Sequence, residues 1–215
     1  GAQVFSWVQA HRVTDIEAMS NLPIGLRAWL ADNARISRLE PAEVIDSADG
    51  CRKLLFEVPG GVFFCVIMPS EERVTLCVSS QIGCKMGCGF CLTGRGGYKR
   101  NLTAAEMVGQ VIASNRLLGE TGHVSNVVFM GMGEPLDNLA EVVQAVRLIT
   151  HREGLRVAPR RTTVSTVGLL PQLREFVEAQ TGASIAISLC ATTDAVRDAV
   201  VPIGKRYKLA DLFDT

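Results

Sequence analysis

Apolar residues recur at three- and four-residue steps through the first 35 positions: Val4, Phe5 and Val8, then Met19, Leu22, Leu26, Trp29 and Leu30. This spacing lines one face of a helix and predicts a small helical region. Asn21 and Pro23 mark a helix start between them. Residues 36–50 turn polar and read as a connector. Two β-like runs follow, over residues 53–58 and 61–68, around Pro59-Gly60-Gly61, the pattern of a hairpin. From residue 74 short apolar runs alternate with helical patterns. Strands are expected over residues 74–79, 126–130, 161–165 and 184–189. Helices are expected over 103–118, 139–150, 170–179 and 194–200, with another starting near Leu209. Thr103 with Glu106 three residues on is a capping-box pattern.

Repeated strand–helix units predict a parallel sheet with right-handed crossovers. The fold class is therefore α/β, a partial (βα) barrel with a small N-terminal helical and β-hairpin accessory region. We place helices and connector at 1–50, the hairpin at 51–72 and an incomplete barrel at 73–215. Four strand–helix units are visible, and a closed eight-unit barrel takes about 250 residues. The last parallel strand would leave a backbone edge unpaired.

Hydrophobic residues make up 47% of the 215, enough for a real core. Lys and Arg number 22, balanced by 22 Asp and Glu, so net charge favours no class of partner, although a local basic face stays open. No apolar run reaches the roughly 18 residues of a membrane span, and no signal peptide is visible. The seven cysteines are an odd number, with three tightly clustered. That fits a cytoplasmic chain with metal-binding thiols better than a secreted disulfide framework.

The cluster reads Gly83-Cys84-Lys85-Met86-Gly87-Cys88-Gly89-Phe90-Cys91, a Cys-x3-Cys-x2-Cys spacing directly after a strand. Three thiolates can hold three irons of a 4Fe-4S cluster and leave the fourth iron open. An open iron can chelate the amino and carboxylate groups of S-adenosyl-L-methionine and deliver an electron to its sulfonium, which releases a carbon radical. Zinc is the competing reading, but structural zinc wants four ligands and no fourth Cys or His lies nearby. Phe90, beside the last ligand, can shield the cluster.

Ligands of open α/β sheets bind beyond the carboxyl ends of the strands. Gly131-Met132-Gly133-Glu134-Pro135 follows the second strand, where glycine admits close approach and Glu134 can meet the cofactor's ammonium. The same residues also suit an ordinary tight turn. Ser165-Thr166-Val167-Gly168 follows the third strand and Ser188-Leu189-Cys190 the fourth; their hydroxyls suit ribose or carboxylate, or cap the strand ends. Arg95, Lys99, Arg100, Lys205, Arg206 and Lys208 collect on that edge as phosphate contacts or as solvated surface. Arg152, Arg156, Arg160 and Arg161 belong to the opposite edge.

Longer motifs carry a resemblance. Leu76-Cys77-Val78-Ser79-Ser80-Gln81-Ile82-Gly83-Cys84, Gly87-Cys88-Gly89-Phe90-Cys91 and Arg100-Asn101-Leu102-Thr103-Ala104 resemble the RlmN/Cfr family of radical-SAM RNA (adenine) methyltransferases. So do the run from Asn126 to Leu136 and the run from Arg161 to Gly168. The resemblance implies a radical-SAM partial barrel. It implies Cys84, Cys88 and Cys91 as cluster ligands. As contacts to S-adenosylmethionine it implies Gly133, Glu134, Ser165, Ser188, Leu189 and Cys190. It further implies methylation of an adenine carbon of 23S rRNA, with tRNA a second substrate in part of the family. A reductant such as flavodoxin or ferredoxin would supply electrons. In the family one S-adenosylmethionine methylates a cysteine near the C-terminus. A second yields the 5′-deoxyadenosyl radical that activates this methyl group. A further cysteine of the cluster region resolves the adduct, and Cys88 is assigned to that role.

Three departures stand out. The segment with the methyl-carrying cysteine is not in this sequence. Phe64 occupies the place of the family's proton-accepting glutamate, and a phenyl ring moves no proton; it is expected to pack in the core. Cys190 stands where the family has histidine. Cys51, Cys65 and Cys77 are expected to be packing residues.

Overall fold

The computed structural model describes residues 1–120 and 122–214. Helices α1 (Ala2–Gln9) and α2 (Ile24–Asn33) form the N-terminal region. Four strands follow: β1 (Glu43–Asp46), β2 (Arg52–Val58), β3 (Gly61–Pro69) and β4 (Val74–Cys77). Next come β5 (Gln81–Gly83), α3 (Leu92–Arg95), β6 (Tyr98–Asn101) and α4 (Ala104–Leu118). The remainder runs β7 (Asn126–Phe129), α5 (Leu139–Thr150), β8 (Thr162–Thr166), α6 (Leu170–Glu178), β9 (Ser184–Ile187), α7 (Asp194–Val200) and α8 (Leu209–Phe213).

One sheet has the order β1-β2-β3-β4-β7-β8-β9. Strands β1 to β4 pair antiparallel, while β4, β7, β8 and β9 are parallel. The expected α/β architecture and its exposed edge at β9 are both present. Polar residues 36–50 hide β1, however. Four residues with no alternation in burial carry no strand signal, and their pairing with β2 makes the strand.

The sheet has two unlike faces. Leu54, Phe63, Cys65, Leu76, Val127, Phe129 and Val164 are buried beneath α4, α5 and α6, which add Met107, Val111, Val142, Val146, Leu173 and Phe176. Their alternate neighbours lie on the other face and are half-buried: Phe64, Val66, Cys77, Val128, Thr163 and Ser165. Phe64 is thus outside the core, which Phe63 occupies instead, and Lys53 Nζ sits 4.2 Å above its ring. The period of two sends the two phenylalanines to opposite faces. Of the cysteines expected to pack, Cys65 is fully buried near the Ser114 hydroxyl, and burial pushes its thiol up to about 12. Cys77 faces the other way, and Cys51 sits in the turn before β2.

Helix α4 starts as expected: the Thr103 hydroxyl accepts Glu106 N–H at 3.2 Å, and the Glu106 carboxylate accepts Thr103 N–H at 2.8 Å. Such a cap contributes about 1 kcal/mol.

Candidate cluster and cofactor site

The cysteine loop is clamped at its root. β5 and β6 pair antiparallel, Gln81 with Asn101 and Gly83 with Tyr98, so residues 84–97 leave and return side by side. Gly83 has φ +76°, and a Cβ there would fall 1.7 Å from the Gly97 carbonyl, so no other residue fits. Cys84 N–H donates to Gly97 O at 3.2 Å, and Cys91 N–H to Cys88 O at 3.0 Å. Gly89 N–H reaches across to Val200 O at 2.9 Å, tying the loop to α7.

Behind the loop stands a buried polar frame that the sequence did not disclose. β4 ends at Cys77, two residues short of expectation, because Ser79 bonds to side chains. Its N–H donates to Gln110 Oε1 at 2.8 Å, and Gln110 Nε2 returns a bond to Ser79 O at 3.0 Å. The Ser79 hydroxyl donates to Phe64 O at 2.5 Å and accepts Met132 N–H at 2.8 Å. Asn138 Nδ2 holds both Ser80 O and Leu102 O. Gln81 Oε1 accepts Glu134 N–H at 2.9 Å, and its Nε2 donates to Asn101 and Asp137. Gly133 abuts this frame: at φ +105°, an added Cβ would lie 2.6 Å from that of Gln81. Its glycine is required by packing on the strand behind it, as well as by access from the front.

In front of the frame is a cavity of about 310 Å³. Cys84, Cys88 and Cys91 line it, as do Gly131, Gly133, Glu134, Ser165, Ser188 and Cys190. The loops after three strands therefore do converge with the cysteine loop. The Ser165 and Ser188 hydroxyls are 3.4 Å apart. Phe90 lies at the rim, 65% exposed. Met86, Phe129, Met130, Thr166 and Val167 complete the wall. Met86 and Met130 had no distinguishing pattern in the sequence, because a methionine beside a turn looks like any apolar residue.

Leu189, Arg100 and Lys208 are engaged elsewhere. Leu189 is absent from the cavity wall and packs against the core. Arg100 is no free phosphate ligand: its guanidinium pairs with both Glu106 oxygens, at 2.6 and 2.9 Å, and with Pro59 O at 2.7 Å. Lys208 pairs with Asp198 at 2.6 Å. Lys99, Lys205 and Arg206 remain exposed.

Glu134 is almost wholly buried, with one carboxylate oxygen accepting Leu136 N–H at 3.0 Å and the other Val167 N–H at 2.9 Å. It bridges the loops after β7 and β8. Burial raises its pKa above the usual carboxylate value, against the opposing bonds from Thr166, Val167 and Leu136. Arg197, fully buried, closes the far side by donating to Val167 O at 2.6 Å and Tyr207 O at 3.2 Å. Its signal was hidden because an isolated arginine on a helix reads as surface.

Burial raises the thiol of Cys84 and, aided by the neighbouring thiols, pushes Cys88 up to about 11. Nearby positive charge would reverse this and favour thiolates. Among the described residues, no three His, Cys, Asp or Glu side chains close around a single metal ion. The three thiols instead surround a shared cavity, a soft donor set that fits separate corners of one iron–sulfur cluster.

Fold and site together define an α/β partial barrel with a three-cysteine centre at the carboxyl ends of its parallel strands. Residues 78–213 match the Radical SAM superfamily model, and the chain belongs to that superfamily. Membership brings a 4Fe-4S cluster and S-adenosylmethionine as cofactors. The chain is similar to the dual-specificity RNA methyltransferase RlmN of Geobacter sulfurreducens, 46% identical over 99% of this chain and 58% of that one. It is also similar to that of Campylobacter jejuni (strain RM1221), 41% identical over 99% of this chain and 64% of that one. A crystal structure of a radical SAM methyltransferase from Sphaerobacter thermophilus superposes with a TM-score of 0.90 at 39% identity, covering 99% of this chain and 63% of that chain. The chain thus spans about three fifths of the length of the relatives it matches.

Proposed function

We propose that this chain carries the radical-generating part of an RNA methyltransferase acting on an adenine carbon of 23S rRNA, with tRNA as a second substrate. The observation that carries this reading is the single cavity shared by Cys84, Cys88, Cys91, Gly133, Ser165 and Ser188, beside a half-buried sheet face. Cys84, Cys88 and Cys91 hold the cluster. The Gly133 backbone and the hydroxyls of Ser165 and Ser188 hold the S-adenosylmethionine, while Glu134 keeps two of its loops in register. When bound and reduced by a carrier such as flavodoxin or ferredoxin, the cluster supplies the electron that splits S-adenosylmethionine. The cytoplasm, where such carriers and RNA meet, is the proposed location. Among the described residues no helix is long and apolar enough to cross a membrane.

A thiol bound to iron is not free to resolve an adduct, so Cys88 cannot fill both roles at once. On the half-buried sheet face the free thiol is Cys77, beside Val128, and the resolving role passes to it. Exposed Lys99, Lys205 and Arg206 would contact RNA phosphates.

The test uses the natural reading frame, including whatever follows residue 215. Reconstituted anaerobically with reductant and an rRNA fragment, it is expected to release 5′-deoxyadenosine and yield methyladenine, and RNA binding is expected to weaken with salt. Cofactor cleavage without RNA methylation would reject the substrate assignment. One observation favours a second reading, a radical-SAM enzyme of another substrate: Phe64, with Lys53 Nζ 4.2 Å above its ring, stands where the resemblance puts the family's proton acceptor. That reading predicts cleavage indifferent to RNA.

A further inference from the structure

Four of the seven cysteines line one cavity, although the motif accounts for three. The fourth, Cys190, comes from the loop after β9. It adopts φ +62°, a left-handed conformation that non-glycine residues seldom hold and that clusters at functional sites. The preceding backbone is anchored by Ser188 N–H donating to Thr166 O at 2.8 Å, so the turn at residue 190 is set by the sheet. Its side chain lines the same cavity as Cys88. The remaining cysteines are elsewhere: Cys51 in a turn, Cys65 beneath α4 and Cys77 on the sheet face.

We propose that Cys190 is a fourth sulfur donor to the cluster, holding the iron that Cys84, Cys88 and Cys91 leave open until S-adenosylmethionine displaces it. The proposal rests on the iron–sulfur reading of the cavity. Iron prefers a soft thiolate to water, and a single tethered thiol competes with a ligand that binds through two groups at once. The exchange involves no oxidation. The Cys190 thiol releases its proton to solvent when it binds iron. It takes one back when the amino and carboxylate groups of S-adenosylmethionine replace it. The empty enzyme would then keep its reactive iron covered, and cofactor binding would carry the cost of uncovering it. That cost lowers apparent affinity by the fraction of chains in which the iron is free.

Mössbauer and electron paramagnetic resonance spectra of the anaerobically reconstituted chain test this, with iron and sulfide content measured alongside. Without S-adenosylmethionine, the unaltered chain should show four equivalent thiolate-bound corners. Cys190→Ala and Cys190→Ser should each show one iron with non-sulfur ligation at unchanged iron content, the serine variant keeping the side-chain volume. The concentration of S-adenosylmethionine giving half the spectral change should fall about tenfold in both variants. Identical spectra for the unaltered chain and both variants would overturn the proposal. So would weaker binding in the variants, which would make Cys190 a cofactor contact. If no cluster forms in any of the three chains, the iron–sulfur reading itself fails and takes this proposal with it.

Discussion

The two faces of the seven-stranded sheet are built from the same strands, one residue out of step, and they do opposite things. Toward the helices, Leu76, Val127 and Val164 are sealed against α4, α5 and α6. Toward the other side, Cys77, Val128, Thr163 and Ser165 stay half-buried and include the polar and thiol groups. The sealed face supplies the hydrophobic stabilisation that positions the strands. The other face and the loops at its carboxyl edge carry the chemistry. A side chain's alternation along its strand therefore says whether its loss should cost stability or activity, and the two costs should separate cleanly.

The largest separation is expected at the cysteine loop. Cys84→Ala, Cys88→Ala and Cys91→Ala should each lower bound iron and sulfide and reduce 5′-deoxyadenosine release at least about a hundredfold. The melting temperature of the metal-free chain should stay within a few degrees, because none of the three belongs to the main core cluster. Retained iron at normal stoichiometry in any of them would remove that residue from the ligand set.

Adjacent positions on β7 give the next contrast. Val127→Ala truncates a fully buried side chain and should destabilise the chain by about 1.5–3 kcal/mol in urea unfolding. Val128→Ala, one residue away on the other face, should cost under about 1.5 kcal/mol. Equal losses would show that the second face is sealed as well. Arg197→Ala lies between chemistry and stability. It strips Val167 O and Tyr207 O of their partner and should cost about 3 kcal/mol while loosening a wall of the cavity.

These contrasts also explain what was readable beforehand. The parallel core was legible since its helices and strands have clean periods: α5 occupies Leu139–Thr150, the range its pattern indicates. The three thiols were legible from their spacing alone. β1 was not, because a strand exposed on both sides has no alternation to read. Phe64 was misplaced because an aromatic residue reads as core wherever it falls, and only the register with β2 and β4 tells Phe63 from Phe64. The Ser79–Gln110 and Glu134–Val167 ties join residues more than thirty positions apart, and no local pattern encodes them. Arg100 and Lys208 looked available for phosphate because their acidic partners are identified only by the folded chain.

The smallest effect expected lies where cap and ion pair meet, at Glu106. Burial would raise this carboxyl, but bonds from Arg100, Thr103 N–H and the Thr103 hydroxyl outweigh it and hold the pKa below the usual value. A carboxyl depressed in the folded state contributes stability above its unfolded pKa and loses it as pH falls through the folded one. Glu106→Gln keeps the shape and part of the cap but loses the charge that Arg100 meets, so it should cost about 1 kcal/mol at neutral pH. The difference between the two chains should shrink as pH drops below about 4.5 and vanish once the native carboxyl is protonated. Urea midpoints measured at descending pH check this. A gap that stays constant into acid would mean that the side chain stabilises α4 by packing, and that the charge on Glu106 contributes nothing to the clamp at the root of the cysteine loop.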